Sequence, residues 1–139
     1  MPVSVNTIFK RMKRQFPSEA DALARLEAVR WPDGPVCPYC GKQNAFQHQE
    51  SSKTRKRWQC RACHRSFSAT VDTVFHHSHV DLRVWFFVIA AVEQGGDLKI
   101  RQLADLVQLR PATVSQIVDR VRHAVAKDKR LLRSLIKEK

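Results

Sequence analysis

The residues of this sequence best equipped for chemistry are four cysteines. Cys37 and Cys40 lie in "CPYC", Cys60 and Cys63 in "CRAC", with 19 residues between the pairs and no other cysteine among the 139 residues. Two C-x2-C pairs at this interval match the pattern of tetrahedral zinc sites. Two residues between ligands let both sulfurs of a pair face one ion, and Gly41 supplies the permissive backbone that such a turn requires. With four protein ligands the ion has no open position, so one structural Zn2+ is expected and not a catalytic one. Lys42, Arg61 and Arg65 lie near enough in sequence to offset the −2 charge of a zinc tetrathiolate. The competing redox reading needs a reactive cysteine at a helix N-terminus after a strand. Here Pro32 and Pro35 precede the first pair and no helix pattern follows it. The run "FHHSHV", with His76, His77 and His79, lacks a partner cluster and reads as surface or interface.

A second group of residues is suited to recognition. In "IRQLADLVQLRPATVSQIVDRVRHA", residues 100–124, Ile100, Leu103, Ala104 and Val107 share one face of a short helix. Leu109 fills a turn, and Val114, Ile117, Val118 and Val121 line the core side of a second helix. This is a helix-turn-helix pattern, with Arg110, Thr113, Ser115, Gln116 and Arg120 placed to meet DNA. Lys53, Arg55, Lys56 and Arg57, in the polar stretch between the cysteine pairs, are candidates for phosphate contacts. A hairpin of helices used only for packing is the bland alternative.

The elements that must position these groups are legible in outline. "SEADALARLEAVRW" predicts a helix capped by Ser18, with Ala22, Leu23, Leu26 and Val29 on one face. "RKRWQC" and "SFSA" read as strands around the second cysteine pair. "LRVWFFVIAAVEQ" is an apolar helix ending at Gly95-Gly96. A short helix, "KIRQLADLV", precedes a long one that begins at Pro111, a favoured first-turn residue. The expected fold is small α+β: a rubredoxin-like four-cysteine zinc ribbon followed by an all-α helix-turn-helix bundle. Its parts are an N-terminal helical segment (1–35), the ribbon (36–75), and a helix-turn-helix domain with a basic C-terminal tail (76–139). Trp31, Trp58, Phe67, Phe75, Trp85 and Phe86 are expected mostly in the core joining these parts.

Charge narrows the partner. The net charge of +12 is divided as +2 over residues 1–36, +6 over 37–70, −2 over 71–100 and +6 over 101–139. Two basic blocks around an apolar one favour a polyanion, and nucleic acid is the leading class. No run approaches the roughly 20 apolar residues of a membrane span, and no secretory signal is evident, so the reducing cytoplasm is expected.

The stretches "RWPDGPVCPYCG", "RWQCRACHRSFSAT" and "DTVFHHSHVDLRVWF", in that order, resemble the N-terminal part of zinc-ribbon insertion-sequence transposases, the insertion sequence 1595 group. The resemblance covers about residues 16–125. Asp72 departs from it, standing where the family usually has glycine in a Thr-Gly-Thr turn. The resemblance implies recognition of transposon-end or similar duplex DNA in a bacterial or archaeal cytoplasm, in association with the nucleoid. Family members continue into an RNase H-like nuclease domain with a two-metal acidic triad. Only "KDKRLLRSLIKEK" follows here, so the expectation is a DNA-binding part that is not itself an enzyme, acting as a homodimer or with a separately encoded nuclease subunit. A domesticated transcription regulator, or an RNA- or protein-binding zinc ribbon, are the other readings.

Overall fold

The computed structural model describes residues 3–48, 56–76, 78–95 and 98–137. Among these, five helices surround a buried core and one three-stranded sheet carries the cysteines, a small α+β fold. No helix among the described residues is long and apolar enough to cross a membrane.

Helix α1 (Val5–Gln15) was not anticipated from the sequence. It buries Val5, Ile8 and Met12, a three- and four-residue spacing that defines one face. Helix α2 (Glu19–Arg30) starts as expected at Ser18, in a reciprocal capping box with Asp21: the Ser18 N–H donates to Asp21 at 3.0 Å and the Asp21 N–H to Ser18 Oγ at 3.3 Å.

Strands β1 (Ala45–Gln47), β2 (Trp58–Cys60) and β3 (Ser66–Phe67) form an antiparallel sheet in sequence order. Ala45 opposes Cys60, Gln47 opposes Trp58, and Trp58 opposes Phe67. Such short strands bury little, so the sheet depends on its cysteines and on the helices beside it.

Helix α3 (Leu82–Gln94) is the centre of the molecule, with an unbroken buried run from Trp85 to Ala91. A helix apolar on all sides must be covered on all sides. Phe9 of α1 packs edge-on against Phe87 at 5.1 Å and Phe16 against Phe86 at 5.0 Å. Helix α4 (Ile100–Val107) and helix α5 (Pro111–Ile136) cover the rest. Pro111 is at the start of α5, and Val114, Ile117, Val118 and Val121 are buried as expected.

Helix α5 is broken at Asp128, which has φ −141° and ψ 61°. Its Oδ1 accepts from the Leu131 N–H at 3.3 Å, capping a new helical segment. The basic stretch after the break is therefore docked: Leu132, Leu135 and Ile136 are buried.

The aromatic residues join the two halves. Trp31 lies edge-on to Trp58 and Phe67, at 6.4 and 5.7 Å, and Phe75 to Trp85 at 5.6 Å. Five of the six aromatics expected in the core are buried, and Trp58 is half-buried.

Candidate metal centre and nucleic-acid interface

Each cysteine pair sits on the same backbone turn. The Cys37 N–H donates to the Lys42 carbonyl at 3.0 Å and the Gly41 N–H to the Cys37 carbonyl at 2.9 Å. In the second pair the Cys60 N–H donates to the Arg65 carbonyl and the His64 N–H to the Cys60 carbonyl, both at 3.0 Å. These turns bring the four Sγ atoms within 4.8 Å of one another. Cys37 and Cys63 approach to 3.6 Å across the pairs, and Cys40 and Cys60 to 3.5 Å. With Zn–S bonds of about 2.3 Å, a tetrahedron has edges of about 3.8 Å, so the donor set fits one zinc ion. Cys37 and Cys60 are buried, Cys63 is half-buried and Cys40 exposed.

The surroundings prepare the sulfurs unequally. The Cys63 N–H, aimed at Cys60 Sγ from 3.5 Å, holds the Cys60 thiol down to about 6 despite its burial; the Ala62 N–H and the Cys40 and Cys63 sulfurs assist. The Lys42 N–H pulls the Cys40 thiol down, but partial desolvation of the sulfur by the surrounding turn and the neighbouring sulfurs of Cys60, Cys37 and Cys63 outweigh it and push it up to about 11. Zinc binds cysteine as thiolate, so it must displace the protons the thiols still hold as it enters.

Two arginines beside this centre rest on aromatic faces. Arg61 of the second turn lies 4.6 Å from the ring centre of Phe46, and Arg65 lies 5.0 Å from that of Tyr39 in the first turn. Tyr39 and Phe46 are the exposed large hydrophobic residues among those described. From the sequence these arginines are legible only as charge balance, and the one local signal of a stacking role is Tyr39, an aromatic between two ligands.

Of the proposed phosphate contacts, Lys53 and Arg55 lie outside the described residues. Lys56 pairs with Glu27 at 3.5 Å, and Glu27 also accepts from Trp58 Nε1 at 3.1 Å, tying the ribbon to α2. Arg57 is exposed. Helices α4 and α5 are joined by three residues, Gln108 to Arg110, with Gln108 left-handed at φ +60°. At the start of α5, Arg110 and Gln116 are exposed while Thr113 and Ser115 are half-buried. Arg120 is exposed, yet its guanidinium lies 5.3 Å from the Trp85 ring centre and donates to the His76 carbonyl at 3.4 Å. His79 is exposed, His76 half-buried, and His77 lies outside the described residues.

Residues 17–66 match the family described as transposase zinc-ribbon domain, a span that contains all four cysteines and the whole sheet except Phe67. This ribbon is similar to the zinc ribbons of transposases. Cys37, Cys40, Cys60 and Cys63 lie within ligand distance of one another, a donor set for one zinc ion. A protein in the transposable element ISH50 of Halobacterium salinarum is 32% identical over 112 residues, which are 81% of this chain and 37% of the relative. The chain thus spans well under half the length of the curated relative it matches. No solved structure matches it. Among the described residues, the zinc-ribbon cysteines are the one group of three or more His, Cys, Asp or Glu side chains close enough to hold a metal.

Proposed function

We propose that this chain is the duplex-DNA-binding part of a transposon-encoded protein, acting in the cytoplasm on transposon-end or similar sequences. The observation that carries the reading is the pairing of a transposase-like zinc ribbon with two helices on a three-residue turn, the second opening on polar side chains. In this reading α4 and α5 form a helix-turn-helix. Thr113, Ser115 and Gln116 meet base edges, and Arg110 and the ribbon cations Lys53, Arg55 and Arg57 meet phosphates. Arg120 contacts DNA only by leaving Trp85, so Gln116 is the better candidate for reading a base. Lys56, paired with Glu27, is the weakest of the phosphate candidates. The chain does not itself cleave DNA; strand transfer belongs to a nuclease domain or subunit.

The test is to select a preferred site from random duplexes and titrate Gln116→Ala on it. The expected cost is about 1–3 kcal/mol, with discrimination relaxed at one base pair. Unchanged preference in both Gln116→Ala and Thr113→Ala would remove α5 as the reader. A second reading, single-strand or RNA binding, is favoured by the exposed Tyr39 and Phe46, since rings beside cations serve as stacking platforms. Tighter binding of single strands than of duplex in direct competition would establish it instead.

A further inference from the structure

At the C-terminal end of α3, remote in sequence from the ribbon, an open cleft of about 900 Å³ is lined by Arg11, Lys129, Arg130, Arg133 and Lys137, with Glu93 as its one acidic residue among those described. Glu93 is already matched, accepting from Arg133 Nε at 3.1 Å. The cleft is built by the break at Asp128. The new helical segment buries Leu132, Leu135 and Ile136, which leaves Lys129, Arg130 and Arg133 exposed. Arg25 fixes the far end of that segment by donating to the carbonyls of Ser134, Leu135 and Lys137, and Gln15 Nε2 donates to Lys137 at 2.8 Å. These cations are therefore held together by packing against their mutual repulsion, an arrangement that a polyanion relieves.

We infer that this cleft is a second nucleic-acid contact, binding the phosphate backbone of a duplex independently of its sequence. The inference rests on the reading of the chain as a DNA-binding protein and adds a surface to it. Asp128 lies twelve positions beyond Gln116 along the helix, about 18 Å, so the cleft is distinct from the start of α5. An acidic protein partner fits less well. Protein interfaces need aromatic or aliphatic anchors, but Ile136 in this cleft is only 7% exposed and the exposed rings belong to the ribbon.

The experiment measures the salt dependence of binding to a short duplex of random sequence. Lys129→Ala/Arg130→Ala should lower the slope of log K against log salt by up to about two units, with site preference unchanged, because each phosphate contact contributes about 0.9. Lys129→Arg/Arg130→Lys should restore it. Both positions are exposed, and circular dichroism is the check that the variants fold. Lys10→Ala/Arg14→Ala on α1 removes the same charge elsewhere and should lower the slope less. An unchanged slope in the first variant, an equal drop in the α1 variant, or no binding of random duplex by the unaltered protein overturns the inference. Failure of base reading would appear separately, as unaltered site preference in Gln116→Ala.

Discussion

Gly41 and His64 hold the same place in the two halves of the zinc centre. Each directly follows the second cysteine of its pair, donates its N–H to the carbonyl of the first, and lies in the left-handed region, at φ +77° and +65°. Glycine adopts that region freely, whereas a side chain costs about 1 kcal/mol or more there. A Cβ on Gly41 would meet nothing within 4 Å, so the cost of substitution is conformational and not steric. Gly41→Ala should therefore lower the stability of the zinc-loaded protein by about 1 kcal/mol, and His64→Gly should leave it unchanged or raise it. Thermal unfolding of the two variants, compared at equal zinc, checks both directions.

Zinc should be present at one ion per chain and should hold the ribbon together, because strands of two and three residues cannot order themselves. Chelation under reducing conditions should shift the fluorescence of half-buried Trp58 to the red while leaving most of the helical circular dichroism, since α3 is covered chiefly by other helices. An unchanged spectrum after complete zinc removal, verified by elemental analysis, would contradict the structural role.

The turn after the sheet is also left-handed, at Asp72, with φ +63°. Around it, Thr73 Oγ1 donates to the Thr70 carbonyl at 2.6 Å and the Phe75 N–H donates to Thr73 Oγ1 at 3.2 Å. The departure from glycine at this position keeps the turn because aspartate tolerates that backbone better than most residues. Asp72→Gly should be more stable than Asp72→Ala by about 1 kcal/mol in denaturant titrations. Equal stability of the two would show that backbone strain is not what distinguishes them.

Acid stability should respond in opposite senses to two neighbouring carboxylates. Burial pushes Asp81 up, but hydrogen bonds and attraction from Arg83 outweigh it and hold the carboxyl below its ordinary 3.8. Asp81 thus contributes stability that is present above that value and lost as pH falls through the depressed one. Glu19 is raised above its ordinary 4.5, by burial first and then by the charge of Asp81. Its ionised form is disfavoured in the fold, a penalty that fades as pH falls through the raised value and is gone below 4.5. Melting curves across pH should show Asp81→Asn less stable than the unaltered protein at neutral pH, with the gap closing in strong acid. Glu19→Gln should be more stable at neutral pH, and its advantage should vanish once Glu19 is protonated in both states.

What could be read from the sequence were features whose cause is local. The zinc ligands declare themselves by spacing, α2 by Ser18 and Asp21, α3 by its apolar run before Gly95, and the start of α5 by Pro111. Features that depend on distant partners were not readable. Helix α1 lacks a side-chain cap, and its stripe of Val5, Ile8 and Met12 becomes informative only once α3 needs covering. Asp128 looks like one more charge in a solvated basic stretch until the burial of Leu132 and Leu135 forces the helix to change course. Lys56 resembles a free phosphate ligand because Glu27, its partner, is 29 residues away.

Arg25 bonds to carbonyls 109 to 112 residues further along the chain, and this fixes an order of events during synthesis. The ribbon spans residues 37–67 and can load its metal while later residues are still being made. The face of α2 that meets the end of α5 must wait until residue 137 has emerged. Closing so long a loop is slow compared with forming local turns. In refolding, the zinc-dependent tryptophan signal should therefore precede the final protection of amide hydrogens in the segment after Asp128.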